Sequence, residues 1–162
     1  TGDLFRKNIT QKTDLGNLAN EYISLGKLVP DQLTIDLLAQ ELDQYNSPNG
    51  FVFDGFPRTI LQAQAFDALL GQKKMTLSMV ISLEVSVLEL VNRLLSRGME
   101  SGRVDDQNET IIRNRIKVYE DQTSVLKDYY ATTLNKHFHS IDGERSIEKI
   151  SNDIKDIITN SI

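Results

Sequence analysis

Arginines are concentrated in one part of this sequence. Five of the eight arginines fall between positions 93 and 115, namely Arg93, Arg97, Arg103, Arg113 and Arg115. Guanidinium groups bind phosphate oxygens in a planar, bidentate way, so the cluster is typical of a polyphosphate clamp. It is equally typical of a charged, solvated helix face, because acidic residues are interleaved with the arginines. The spacing alone leaves both interpretations open.

A second candidate is Asp54, which directly follows the apolar run at 51–53. That run has the pattern of a buried parallel strand, and ligands of open α/β sheets bind beyond the carboxyl ends of the strands. A carboxylate there can hold Mg²⁺ through water, although an isolated aspartate is more often a turn or helix-capping residue. Gly55, which lets a ligand approach the backbone, and Arg58, within one turn, favour a phosphate site.

Gln62 has two interpretations. With Thr59 it fits a T-x-x-Q capping box, which is a purely structural role. Its amide has equally the donor and acceptor to pair with the edge of a nucleobase. The sequence favours the cap until other observations enter.

The elements that must position these residues alternate between helices and strands. Two helices joined near 12–14 are expected within 4–28, and a third is expected after Pro30 with Asp31 as its N-cap. Further helices are expected at 60–70 and from Ser86 to an end at Gly98. A long helix capped by Asp106 is expected to reach about 134 with a bend near 122–124, and a last helix begins at Ser146. Pro48–Gly50 is expected to be a turn. Strands are expected at 51–53, 77–83 and 137–141.

This alternation predicts an α/β fold with a parallel sheet flanked by helices. Three strands are fewer than the five or six of an average doubly wound sheet. The sequence also opens at Thr1 without a methionine. We therefore expect the first strands of the sheet to be missing from the front.

Composition excludes several classes of protein. The chain has 162 residues, 40% apolar and 25% charged, which is typical of a folded domain. A net charge of −5 argues against a general nucleic-acid or anionic-membrane binder. With no cysteine and two histidines, thiol chemistry and a zinc site are not expected. The sequence shows no membrane-spanning apolar run and no signal peptide, so a cytoplasmic location is expected.

Four segments together resemble the adenylate kinases, members of the P-loop-kinase-like fold. They are Thr1-Gly2-Asp3-Leu4-Phe5-Arg6, Lys27-Leu28-Val29-Pro30-Asp31, Phe53-Asp54-Gly55-Phe56-Pro57-Arg58-Thr59 with Gln62-Ala63, and Gly102-Arg103-Val104-Asp105-Asp106. The resemblance covers the whole chain in order, and its Asp-Gly-Phe-Pro-Arg run is highly specific. It implies one domain over residues 1–162, with an AMP-binding subdomain at 1–29, a short lid at 98–104 and the remainder as core.

The reaction that the resemblance implies is reversible phosphoryl transfer, ATP + AMP = 2 ADP, with Mg²⁺ bound to ATP and no zinc. It assigns to the AMP site Thr1, Arg6, Lys27, Leu28, Val29, Gly55, Phe56, Pro57, Arg58, Gln62, Arg103 and Arg115. It assigns to the ATP site Arg93, Arg97, Gly143 and Arg145. Arg58, Arg97, Arg103 and Arg115 would neutralise charge in the transition state, Asp54 would hold Mg²⁺ through water, and Asp105 and Asp106 would be acids of the lid hinge. Residues 1–29 and the lid would close over the nucleotides, and a monomer that binds neither nucleic acid nor membrane is expected.

The sequence departs from this family in two ways. The glycine-rich phosphate loop with its lysine is absent, so these 162 residues alone are expected to have little or no activity. The spacing from Arg103 to Arg115 is one residue longer than in the family, so Arg113 is the alternative phosphate ligand to Arg115. A UMP/CMP kinase and a non-catalytic nucleotide-binding module are the alternative functions, and Thr1 and Gln62 favour AMP over the pyrimidine nucleotides.

Overall fold

The computed structural model describes residues 1–45 and 50–161, so the turn expected at Pro48–Gly50 lies largely outside the described residues. Its helices are α1 (Gly2–Thr10), α2 (Asp14–Ile23), α3 (Asp31–Asp43), α4 (Ile60–Gln72), α5 (Val87–Ser101), α6 (Glu109–Val118), α7 (Leu126–Thr133) and α8 (Ile147–Ser161). Short 3₁₀ turns occupy Val104–Asp106 and Asn135–His137, and a π-helical turn occupies Tyr119–Thr123.

Two strands form the sheet of the described residues, β1 (Val80–Glu84) and β2 (Phe138–Asp142). They pair in parallel, with Val80 opposite Phe138 and Glu84 opposite Asp142. The α/β class and the parallel sheet expected from the sequence are confirmed. A parallel pair needs a long crossover, and here α5, α6 and α7 supply it.

The strand predicted at 51–53 is wrong. These residues form no regular element, and the side chain of Val52 is 96% exposed. A strand exists only where a neighbour completes its hydrogen bonds, and no described strand pairs with this segment. Phe51 and Phe53 nevertheless pack against the apolar cluster formed by α3 and α4.

Several helix ends follow the predicted chemistry. The junction of α1 and α2 lies at residues 11–13, as predicted. Thr59 caps α4, since its hydroxyl accepts the Gln62 amide hydrogen at 3.1 Å, and Ser86 caps α5 in the same way. The two predicted aspartate caps are wrong, because Pro30 precedes α3 and Asn108 caps α6. Both aspartates bond to distant side chains instead.

The end of α5 also differs from the prediction. The helix continues through Gly98 to Ser101 and ends at Gly102, whose φ is +66°. Gly98 is buried, and a Cβ there would lie 2.7 Å from the carbonyl carbon of Asp106. Gly98 therefore permits a close approach of the 3₁₀ turn to the helix. The first four residues of the expected lid, 98–101, are helical.

The bend expected near 122–124 is confirmed. The π-helical turn at Tyr119–Thr123 separates α6 from α7. π-helical turns are rare overall, but many of those that interrupt α-helices lie at functional sites.

Four apolar clusters hold the elements together. Phe5, Ala19, Val29 and Leu37 join α1–α3, and Leu38, Leu42, Phe56, Phe66 and Leu70 join α3 to α4. Ala63, Leu126 and Tyr130 join α4 to α7, and Val91, Ile112 and Ile116 join α5 to α6. By contrast, no residue of α8 is buried among the described residues. None of the described helices is long and apolar enough to cross a bilayer.

Candidate functional site

A cavity of about 480 Å³ opens between α1, the 26–29 segment, the 55–58 segment, the end of β1 and helices α5 and α6. Most of the residues predicted for the AMP site line it. The predicted residues in its wall are Thr1, Arg6, Lys27, Leu28, Val29, Gly55, Phe56, Pro57, Arg58, Gln62, Arg97 and Arg115. The fold thus brings together residues that are up to 114 positions apart in the chain.

The charge of the cavity wall is opposite to that of the chain. Among the described residues of the wall, the cationic side chains are Arg6, Lys27, Arg58, Arg97, Arg115 and Lys127, whereas the carboxylates are Glu84 and Asp105. The whole chain carries a net charge of −5. A concave wall of one sign focuses its field, so this cavity attracts anions although the protein as a whole is acidic.

Arg58 is the centre of this positive wall. Its Nε donates to the Gly55 carbonyl at 2.8 Å, and among the described residues it forms no ion pair with a carboxylate. Burial lowers the pKa of Arg58, and the nearby guanidinium of Arg115 lowers it further. A partly buried cation beside like charges is stabilised by an anionic partner, so Arg58 is placed to bind an anion.

Contacts at both sides of the Arg58 peptide unit fix its backbone. The Arg58 amide donates to Gln62 Oε1 at 2.8 Å, and the Arg58 carbonyl accepts from Thr123 Oγ1 at 2.8 Å. Thr123 lies in the π-helical turn, 65 residues further along the chain. The direction in which Arg58 enters the cavity is therefore set by α4 and by this turn together.

Two other arginines of the cavity share one buried carboxylate. Asp106 is fully buried, and its Oδ2 accepts from Arg97 Nε at 2.6 Å while its Oδ1 accepts from Arg115 Nη1. Arg115 also pairs with Asp105 at 2.9 Å. Burial raises the pKa of Asp106, but hydrogen bonds and charge from Arg97 and Arg115 outweigh burial, so its pKa lies below the ordinary value. The pair of aspartates holds both guanidinium groups at the cavity.

Arg103 does not line the cavity. Its Nη2 lies 3.7 Å from Asp3 Oδ1, an exposed carboxylate that also accepts from Arg6 at 2.5 Å. Arg103 therefore contacts α1, the helix whose Arg6 lines the cavity. The alternative ligand Arg113 is exposed and pairs along α6 with Glu109 at 2.7 Å, away from the cavity wall, so Arg115 is the one that the fold brings to the site.

Three of the four residues predicted for ATP lie at a different place, whereas the fourth, Arg97, lines the cavity. Arg93 Nη1 donates to the Gly143 carbonyl at 2.7 Å, and the Gly143 amide donates to the Glu84 carbonyl at 2.8 Å. Arg145 pairs with Asp153 of α8 and donates to the Asp142 carbonyl. These three residues do not line the cavity but lie beyond the carboxyl ends of β1 and β2.

Asp54 is exposed and lies outside the cavity wall, although its neighbour Gly55 lines it. The negative charge of Asp54 acts to raise the pKa of both Arg58 and Arg97. Among the described residues no group of three or more metal-ligating side chains is present. A single exposed carboxylate fits Mg²⁺, which keeps most of its waters and uses few protein ligands.

Three residues of the site were not found from the sequence. Glu84, the last residue of β1, accepts from Lys127 in α7 and from Ser82 at 2.9 Å, and its hydrogen bond from Lys127 lowers its pKa. Its position at the carboxyl end of a strand is the signal that could have revealed it. Thr123 and Lys127 carry no comparable signal.

Comparison with known proteins gives one consistent family. The family model described as adenylate kinase matches residues 1–135. The adenylate kinase of Flavobacterium psychrophilum is 46% identical over 160 residues, which cover 99% of this chain and 83% of that protein. The adenylate kinases of Parabacteroides distasonis and Corynebacterium urealyticum are each 44% identical, over 99% and 93% of this chain and 83% and 78% of those proteins.

Proposed function

Because the chain belongs to the adenylate kinase family, we propose that it transfers the γ-phosphoryl group of ATP to AMP and yields two ADP. The family is one of phosphotransferases, and nucleoside monophosphate kinase activity follows from membership. The parallel sheet flanked by helices is consistent with the P-loop kinase fold of that family.

The observation that carries the proposal is the cavity wall around Arg58. The partly buried guanidinium of Arg58 stands there without a carboxylate ion pair among the described residues, near Arg115 and in the same wall as Arg97, inside an otherwise acidic protein. Phosphoryl transfer needs positioning and charge stabilisation more than covalent chemistry from the protein. Preorganised cations of this kind supply both.

In the proposed reaction an oxygen of the AMP phosphate forms a bond to the γ-phosphorus of ATP. The bond from that phosphorus to the bridging oxygen of ADP breaks, and the negative charge stays on ADP. Arg58 and Arg6 hold the AMP phosphate, while Arg97, Arg103 and Arg115 neutralise the charge of the transferring group. Thr1, Val29 and Gln62 surround the adenine of AMP.

The ATP adenine is proposed to lie against Arg93 and the loop at Gly143–Arg145, beyond the ends of the strands. Mg²⁺, held through water by Asp54, supplies charge neutralisation on the ATP phosphates when it is bound. Residues 1–29 serve as the AMP subdomain and 98–104 as the short lid, which together exclude water. The monomeric state, the cytoplasmic location, and the absence of zinc and of nucleic-acid partners remain predictions.

The test is turnover of the protein at its natural length with ATP and one of AMP, UMP or CMP. We expect ADP to form in a two-to-one ratio to ATP consumed, with AMP as the preferred acceptor. Faster transfer to CMP or UMP would make the protein a pyrimidine nucleotide kinase. AMP binding without any ADP formation would make it a non-catalytic nucleotide-binding module.

The two neighbouring arginines of α6 provide a matched pair of variants. Arg115→Lys removes planar, bidentate contact at the cavity, so we expect kcat to fall by about 100-fold. Arg113→Lys changes an exposed pair with Glu109 and is expected to leave kcat within about twofold. Steady-state kinetics of both variants measure this. Equal losses would contradict the assignment of the clamp to Arg115.

A further inference from the structure

The amide of Gln62 is bonded on both of its polar atoms. Gln62 Oε1 accepts the Arg58 amide hydrogen at 2.8 Å, and Gln62 Nε2 donates to Asp31 Oδ1 at 2.8 Å. The side chain is 2% exposed, yet it lines the cavity. The other oxygen of Asp31 accepts from Thr59 Oγ1 at 3.1 Å.

The chemistry of its partners permits one orientation of this amide. A carboxylate only accepts and a backbone N–H only donates. If the Gln62 amide turned over, its oxygen would face the Asp31 carboxylate and its NH₂ would face the Arg58 N–H. Both contacts would be repulsive, and buried polar groups without partners are costly.

We propose that Asp31 is a positioning residue for base selection, because together with the Arg58 N–H it fixes which side of the Gln62 amide presents a donor and which presents an acceptor to the cavity. The proposal rests on the proposed function, in which a purine monophosphate enters here. With its two bonds made, Gln62 keeps one Nε2–H donor and one Oε1 lone pair for the base.

A fixed donor and acceptor distinguish 6-amino from 6-oxo purines. The edge of adenine presents an N6–H donor beside the N1 acceptor, whereas hypoxanthine presents an O6 acceptor beside the N1–H donor. The two edges are therefore opposite in polarity. An amide held in one orientation pairs with one edge and opposes the other, and unmatched polar groups reject an analogue strongly.

The experiment compares kcat/KM for AMP with kcat/KM for IMP in the protein at its natural length. In Asp31→Asn the Arg58 N–H still bonds to Gln62 Oε1, but the new side chain offers either a donor or an acceptor to Gln62, so one of the two contacts that fix the amide orientation no longer requires it. We expect the ratio of the AMP to the IMP value to fall by about tenfold, mainly through KM. Asp31→Glu keeps a carboxylate acceptor and is expected to restore at least part of the ratio.

Asp36→Asn is the matched control. Asp36 lies on the same helix and also accepts from a glutamine amide, Gln32 Nε2, at 2.8 Å, but that pair is exposed to solvent. We expect its AMP-to-IMP ratio to be unchanged. If Asp31→Asn lowers both kcat/KM values by the same factor, or leaves the ratio unchanged, Asp31 is only structural and the proposal is overturned.

A measurement on the wild-type protein covers the case in which the variant does not fold. The Gln62 side-chain amide signal, assigned by its loss in Gln62→Met, is expected to exchange slowly with deuterated water in the absence of nucleotide. Fast exchange would contradict the bond to Asp31. Failure of the proposed function is distinguishable, because the wild type would then phosphorylate neither nucleotide.

Discussion

Arg58 is placed by its backbone partners as well as by its own guanidinium group. Thr123 donates to the Arg58 carbonyl from the π-helical turn, and Gln62 accepts from the Arg58 amide. Small displacements of a positioning group reduce the rate strongly, because reacting groups must be held near their productive geometry. The threonine is thus expected to matter for activity although its hydroxyl bonds to backbone.

Thr123→Val removes this donor while it preserves the shape of the side chain. We expect kcat/KM to fall by about tenfold and stability to fall by about 1 kcal/mol. Thr133→Val is the control, since Thr133 donates at 2.8 Å to the Tyr129 carbonyl at an exposed position of α7 and lies outside the cavity wall. Kinetics and urea unfolding of both variants measure the effect. Equal kinetic losses in the two would refute the role of Thr123.

The Asp106 carboxylate makes the free energy of unfolding depend on pH in the acid range. Because the folded protein lowers its pKa, the ionised carboxylate stabilises the fold above the ordinary value of about 3.9, and this contribution is lost as the pH falls through the lower folded value. Asp106→Asn leaves Arg97 and Arg115 without their shared charge. We expect this substitution to lower the free energy of unfolding by about 3 kcal/mol at pH 7. The difference in unfolding free energy between variant and wild type is expected to become smaller below about pH 4.

Urea unfolding at pH 7 and pH 3 tests this expectation. Asp43→Asn serves as the control, because Asp43 pairs with Lys73 at the surface and is expected to cost less than about 1 kcal/mol at either pH. If the unfolding free energies of Asp106→Asn and wild type differ by the same amount at pH 7 and pH 3, the charge of Asp106 does not stabilise the fold.

At the scale of elements, α5 and the 3₁₀ turn that follows it form one unit. The unit depends on the absence of a side chain at Gly98, where the Asp106 backbone packs against the helix. This contact brings Asp106 between Arg97 and Arg115. A close backbone approach, rather than a flexible hinge, is the physical reason for glycine at this position.

Gly98→Ala should therefore shift the turn although alanine favours helices. We expect a loss of about 2 kcal/mol from overpacking, together with reduced kcat because Arg97 and Arg115 move. Gly71→Ala is the matched control within α4, since its Cβ would meet nothing within 4 Å, and it is expected to stabilise the protein by about 0.5 kcal/mol. Thermal unfolding and kinetics measure both. Stabilisation by Gly98→Ala would contradict the packing argument.

At the scale of the whole molecule, the 24–28 turn contacts α6 directly, and residues of both segments line the cavity. Asn114 Nδ2 donates to the Leu25 carbonyl at 2.7 Å, and a Cβ on Gly26 would lie 2.9 Å from the Ile111 carbonyl oxygen. Gly26 has a φ of +68°, so the turn and the close approach both require glycine. This contact places Lys27, Leu28 and Val29 in the cavity wall.

Asn114→Ala should loosen this approach. We expect KM for the acceptor nucleotide to rise about threefold to tenfold, with a smaller change in kcat, because binding must then restore the contact. Asn20→Ala, at an exposed position of α2, is the control and is expected to change neither. Initial-rate measurements over a range of AMP concentrations measure the split. A loss confined to kcat would contradict a role in closing the turn on α6.

The sequence was most informative where local chemistry decides the structure. The helices, the caps at Thr59 and Ser86, the bend before α7 and the α/β class follow from periodicity, capping and turn residues, which act within a few positions. The helix end predicted at Gly98 is wrong, because glycine is a common stop signal but here permits a tertiary contact inside the helix.

The candidate site was partly predictable through its specific motifs. Asp-Gly-Phe-Pro-Arg and the arginine cluster directed attention to Arg58, Arg97 and Arg115, and the structure brings all three to one cavity. Spacing along the chain did not distinguish Arg113 from Arg115. Their difference in surroundings arises from the direction in which each side chain leaves α6.

By itself, the sequence determined which segments are helical, which family the chain resembles and which charges are available. Only the tertiary structure decided that Asp31 bonds to Thr59 and Gln62, that Asp106 joins two arginines, and that residues 51–53 form no strand. The physical reason is that a helix satisfies its hydrogen bonds locally, whereas strands, buried charges and side-chain amides are satisfied by groups that are distant in the chain.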